Sequence, residues 1–188
     1  MQFHRLASFI IGIWLGVSVF MDFVAAQNFK AVNRAMVTDD VRAVDTVKKI
    51  GGPEVERQLF RYFAGEINRY LFEQWEWAEL MLGLILLMVL LFGRTYQKLA
   101  MALCFAMMLL VAGQRFKLTP MITRLGRELE FSESASRRFA AYHALYGYSE
   151  LAKLGLGLVL VGRLLIRPRS SKRAFVREYE REQRPTEA

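Results

Sequence analysis

The chain has 188 residues, a hydrophobic fraction of 54% and a formal net charge of +8, enough for one domain and more apolar than the roughly 45–50% of soluble domains. Its single cysteine excludes a disulfide framework and a CxxC metal site. No P-loop, GxGxxG, HExxH or GxSxG is present, so no motif supports an enzyme and no cofactor is expected.

The first apolar block, LASFIIGIWLGVSVFMDFVAAQ (6–27), has two readings. His4 and Arg5 ahead of it and Val24-Ala25-Ala26 at its end resemble a cleaved signal peptide. Ser8, Gly12 and Gly16, four apart, place small side chains on one stripe, which favours a retained span that neighbours approach closely.

Residues 28–78 are charged and amphipathic. Val41, Val44, Val47 and Ile50 predict a helix over about 39–50. Gly51-Gly52-Pro53 breaks it, with Pro53 suited to the first turn of a second helix over about 53–77. The expectation is a hairpin on the membrane surface whose second arm feeds into the next span. Phe72, Trp75 and Trp77 stand where that span meets the headgroups.

Two charge-free blocks, LMLGLILLMVLLFG (80–93) and LAMALCFAMMLLVAG (99–113), are joined by RTYQK. With their flanks each meets the ~20 residues a helix needs to cross a bilayer, so they predict a tight hairpin of spans at about 78–93 and 97–115. Residues 114–138 read as a polar connection in which Pro120 ends or starts a short helix. The clean apolar run 154–162 is too short to cross alone. A last span at about 142–166 must therefore take in Glu150 and Lys153. The fold expected is all-α: an integral membrane four-helix bundle over 1–166, followed by a basic polar tail, 167–188.

The basic residues flank apolar blocks instead of lining one soluble face. That argues against nucleic acid as a partner and for the bilayer itself, with anionic headgroups at the tail. A second copy or another membrane protein is the other expected companion. Counting every loop favours one orientation. The densest basic cluster, Arg163, Arg167, Arg169, Lys172 and Arg173, follows the last span directly and favours the other, with both termini cytoplasmic in a bacterial inner membrane.

Gly12 and Gly16 with Phe20, then Gln114, Pro120 and Ile122, then Phe139 and His143, follow one order: G-x-x-x-G, Q-x-x-x-x-x-P-x-I and F-x-x-x-H around an apolar hairpin. In this the chain resembles the transmembrane protein 205-like family, a bacterial domain of unknown function, and more distantly the copper-resistance-type four-helix membrane proteins. It departs from that pattern at Ala25-Ala26-Gln27-Asn28-Phe29, where a Pro-Phe pair is absent, and at Glu150, where an amide is expected. The resemblance implies a multi-pass fold and no defined reaction.

Up-down-up-down threading gathers the polar intrusions at one end of the bundle: Asp22, Glu79, Gln114, His143, Glu150 and Lys153. Charges inside a bilayer cost about 2.5–3.5 kcal/mol or more and face the bundle interior, and histidine titrates near neutral pH. The set is a candidate site for a proton or small cation. The plainer alternative is a Glu150–Lys153 pair that only orients its helix, with His143 at headgroup level. Met101, Cys104 and Met108 share one stripe of the third span and suit a soft metal such as Cu(I), although methionine is also an ordinary filler of helix interfaces. Two functions follow from this: a non-enzymatic protein that moves or senses a proton or small cation, or an accessory subunit that recruits partners or lipid through 39–75 and its tail.

Overall fold

The structure is a computed structural model and describes residues 2–35, 45, 48–49, 51–93, 98–128 and 133–165. The stripe Val41, Val44, Val47 and Ile50 and the tail 167–188 lie outside the described residues. Every element described is helical: α1 (Gln2–Ala35), α2 (Pro53–Phe92), α3 (Lys98–Gly113), a π-turn (Gln114–Leu118), α4 (Thr119–Glu128) and α5 (Glu133–Leu165). Four helical stretches, Arg5–Arg34, Pro53–Phe92, Lys98–Gly126 and Ser134–Leu165, are long and apolar enough to cross a membrane by length and composition. This is the architecture of a multi-pass membrane protein.

α1 continues unbroken through Val24-Ala25-Ala26. Its buried face is Ala7, Ile10, Ile11, Trp14 and Ser18, a three- and four-residue spacing that makes one stripe. The Ser8, Gly12, Gly16 stripe is not the close-approach surface that its spacing suggests. Gly12 and Gly16 are exposed, and a Cβ added at either would meet nothing within 4 Å. The bulky stripe beside them turns inward, and the Trp14 N–H finds its partner there. Close approach falls elsewhere, at Gly83 and Gly157. A Cβ at Gly83 would lie 2.6 Å from Met108 Cγ and 3.1 Å from Trp14, and one at Gly157 would collide with Leu15.

Gly51 and Gly52 take φ of 116° and 94°, left-handed values that glycine adopts without penalty. Pro53 then opens α2, whose 40 residues run in one piece through the amphipathic arm and the apolar span. At 1.5 Å per residue that is about 60 Å, roughly twice the 30 Å hydrocarbon core, so its first half projects beyond the bilayer. Asn28 Nδ2 donates to Asn68 Oδ1 at 2.5 Å, and Asn68 Nδ2 donates to the Ala25 carbonyl at 3.2 Å, tying this projection to the end of α1.

Within the connection expected at 114–138, Pro120 stands in the first turn of a short helix, α4, as expected; beyond that expectation, the π-turn joins it to α3 without a break, and 129–132 lie outside the description. Pro120 has no N–H and would clash with the carbonyl four residues back. The helix absorbs this by widening one turn: the Thr119 N–H bonds the Gln114 carbonyl, five residues earlier. α5 likewise starts at Glu133, ahead of the expected boundary.

The long helices form a ring in which α1 and α3 each pack on α2 and α5. Among the described residues the diagonal pairs do not approach as backbones. One half of the interior is filled by Ile11, Leu86, Ala100, Cys104, Met107 and Leu160, all fully buried. The outer surface carries Phe9, Phe20, Leu84, Ile85, Met88, Phe105, Leu109, Leu151, Leu158 and Val159. A soluble bundle does the reverse. Apolar outside with charge inside suits lipid.

Candidate functional site

The interior is charged at one level. Lys153 and Glu79 are 0% exposed and Glu150 is 6% exposed. Lys153 Nζ donates to Glu79 Oε1 at 2.5 Å and to Glu150 Oε1 at 2.8 Å. The first bond crosses the α2–α5 diagonal. A lysine fits there because its four-carbon stem reaches across the gap that the two backbones leave. Trp14 Nε1 at 2.8 Å and Ser18 Oγ at 3.0 Å donate to the same Glu79 oxygen from α1. Gln114 Nε2 donates to Glu150 Oε1 at 2.8 Å and to Ser149 Oγ at 2.7 Å, and Ser149 Oγ donates to the Tyr146 carbonyl at 2.7 Å. All four walls of the ring thus contribute to one network.

Two carboxyl groups share one ammonium here; with both ionised, this buried layer carries one negative charge in excess. Glu79 Oε2 and Gln114 Oε1 are buried and have no hydrogen-bond partner. Buried acceptors in native proteins are almost always paired, and these two lie in one network.

A second layer lies one turn nearer the polar end. Glu76, also 0% exposed, accepts from Thr119 Oγ1 and from Tyr146 OH on the same Oε1, the latter at 3.1 Å. Its Oε2 lies 4.0 Å from an Arg115 guanidinium nitrogen. The π-turn is what supplies this layer. In a regular helix Thr119 would point about 140° away from Gln114; the i→i+5 closure brings both toward the bundle interior.

Of the residues that the sequence nominates, Glu79, Gln114, Glu150 and Lys153 come together. Asp22 is exposed, though near enough to feel the charges of Glu150 and Lys153. His143 is exposed and rests its ring beside Phe139, with centroids 5.8 Å apart. It shares a helix face with Glu150, but seven residues separate them by about 10.5 Å along the axis, too far for a hydrogen bond. Trp14, Ser18, Thr119 and Arg115 join the network without having been nominated. A signal existed for two of them: an indole N–H and a hydroxyl four residues apart in an apolar span both need acceptors.

Met108 fills the notch at Gly83 and Cys104 Sγ lies 3.5 Å from the Gly83 carbonyl. Met101 packs against the apolar core. Among the described residues no three His, Cys, Asp or Glu side chains form a metal-binding group.

The chain matches no family model, no curated protein and no solved structure.

Proposed function

We propose that this protein is a non-enzymatic membrane protein that reversibly binds a proton at the Glu79–Lys153–Glu150 site and acts as a sensor of protons on one side of the membrane. The observation that carries this is Glu79: fully buried, three donors on one oxygen and none on the other. One proton on the carboxylate pair removes the excess charge, which in a bilayer interior is worth several kcal/mol. The charged groups around Glu79 are Lys153 and Glu150 on α5, Glu76 on its own helix and, through Glu150 and Lys153, Asp22 on α1.

Sensing fits better than transfer. Ile11, Leu86, Cys104 and Leu160 fill the bundle on the far side of the site, whereas Arg115 and Ser149 lead from it toward the polar end. The orientation we assign puts both termini in the bacterial cytoplasm, next to anionic headgroups that the basic tail meets. Kinship with the transmembrane protein 205-like proteins belongs to the same proposal and rests on Gly12, Gly16, Gln114, Pro120 and His143.

A proton titration of reconstituted protein tests the reading. The native chain takes up one proton that Glu79→Gln does not. Equal uptake by both would overturn it.

The accessory reading has its own observation. Val55, Leu59, Phe60, Phe63 and Ile67 on the projecting half of α2 are exposed, a face suited to lipid or a partner. It wins if removing residues 39–75 abolishes function while Glu150→Gln and Glu79→Gln are silent.

A further inference from the structure

α2 buries one side against its neighbours and leaves the opposite side bare. Ala64, Asn68, Glu79 and Gly83 lie on the buried side. Phe60, Phe63, Ile67 and Tyr70 lie on the other, from 38% to 64% exposed. Their spacing alternates three and four. Gln74, itself exposed, keeps the alternation, and Trp77, Met81 and Leu84 carry it on toward Leu91. Glu56, one step back, ends it. A strict seven-residue repeat of this kind is the seam of a left-handed supercoil between two helices. Lipid demands apolar residues but no such repeat.

Three occupants compete for this face. Lipid covers the span half only. About 30 Å of hydrocarbon and a further ~5–8 Å of headgroups, counted back from Phe92 at 1.5 Å per residue, end near Ile67. Phe60 and Phe63 lie beyond, in water, on a helix without a break. The chain ahead of the glycine turn is too short. Residues 39–50 would reach back along about 18 Å of α2, whereas the stripe runs for about 45 Å. A second copy fits the whole length, because two copies inserted the same way bring α2 parallel to its image about a two-fold axis.

The stripe is also complementary to itself. None of its residues from Phe60 to Leu91 is charged, so like charges do not meet across the axis. The Gln74 amide both donates and accepts, so it can bond its own image, and one polar residue in an apolar seam fixes the register. At roughly 200 Å² per large side chain, about half of it exposed, the stripe offers about 800 Å², what one partner brings to a standard interface.

We propose that the protein pairs with a second copy of itself through α2, in parallel, with Gln74 on the two-fold axis. This pairing does not depend on the proton-binding reading.

Single cysteines in a Cys104→Ala background test it, oxidised in proteoliposomes. Ile67→Cys and Gln74→Cys form disulfide-linked dimers. Tyr62→Cys does not, although Tyr62 is 58% exposed against 53% for Ile67, because it stands off the stripe. Native mass spectrometry of the detergent-solubilised protein gives twice the 21.7 kDa of one chain. Ile67→Glu returns the mass to that of one chain with helix content unchanged. Dimer bands at Tyr62→Cys as strong as at Ile67→Cys, a native mass other than twice the chain's, or no band at Ile67→Cys and Gln74→Cys would each overturn the pairing. The last of these gives the face to lipid or to residues 39–50.

Discussion

Lys153 shows how much a single residue can be asked to do inside a membrane. Its ammonium is out of solvent and bonded to two carboxylates on different helices. Truncating one member of a buried ionic group leaves the others uncompensated, which costs about 3–5 kcal/mol, whereas replacing the whole group with apolar residues of similar size is often neutral. Lys153→Met alone is therefore expected to lower stability by about that amount in a denaturant titration. The triple change Glu79→Gln, Glu150→Gln, Lys153→Met is expected to recover most of it. If the triple is as unstable as the single, charge balance is not what holds this layer. At Thr119 the hydroxyl donates to a carboxylate, so Thr119→Val is expected to cost about 1.5–3 kcal/mol by the same measurement. Part of this chemistry was legible in sequence. The three-residue step from Glu150 to Lys153 places them within reach on any helix. The bond from Lys153 to Glu79 was not legible, because it depends on the rotation and separation of two helices 74 residues apart in sequence. His143 shows the limit of reading faces alone: rotation about the axis matched Glu150, but translation along it did not.

At the scale of elements, the glycines and the proline carry the geometry. Gly83 lets Met108 and Trp14 sit against α2, and Trp14 placed there can reach Glu79. Gly83→Val overpacks that contact. The expected loss is about 1–3 kcal/mol, with a drop in proton uptake because Trp14 is displaced. Gly12→Ala, with open space around it, is expected to leave the thermal midpoint within measurement error; a large loss there would mean that the small-residue stripe packs after all. The break at Gly51-Gly52-Pro53 and the continuity of α2 into its span were readable, since turn chemistry and apolar periodicity are local. The π-turn was not. Polar composition around Pro120 reads as a connection with one short helix; the widened turn that joins that helix to α3 leaves no local pattern in the sequence.

For the whole molecule, apolar blocks of span length made the four-helix architecture legible. The same threading argument located the polar end before any side chain was placed. What composition does not record is the order of layers: apolar fill at one end, then the Glu79–Lys153–Glu150 level, then the Glu76–Arg115 level nearest the polar surface. That order sets the site nearer the polar end of the bundle than the apolar one. The central claim is that a carboxylate of this site gains and loses a proton while the fold stays intact. Infrared difference spectroscopy of the protein in bilayers measures this most directly, through the carbonyl stretch of a protonated carboxylic acid as pH is lowered. The account predicts a single such band that grows as pH falls, is absent from Glu79→Gln and persists in Glu76→Gln. A spectrum with no pH-dependent carboxylic acid band, or a band that survives Glu79→Gln unchanged, would contradict it.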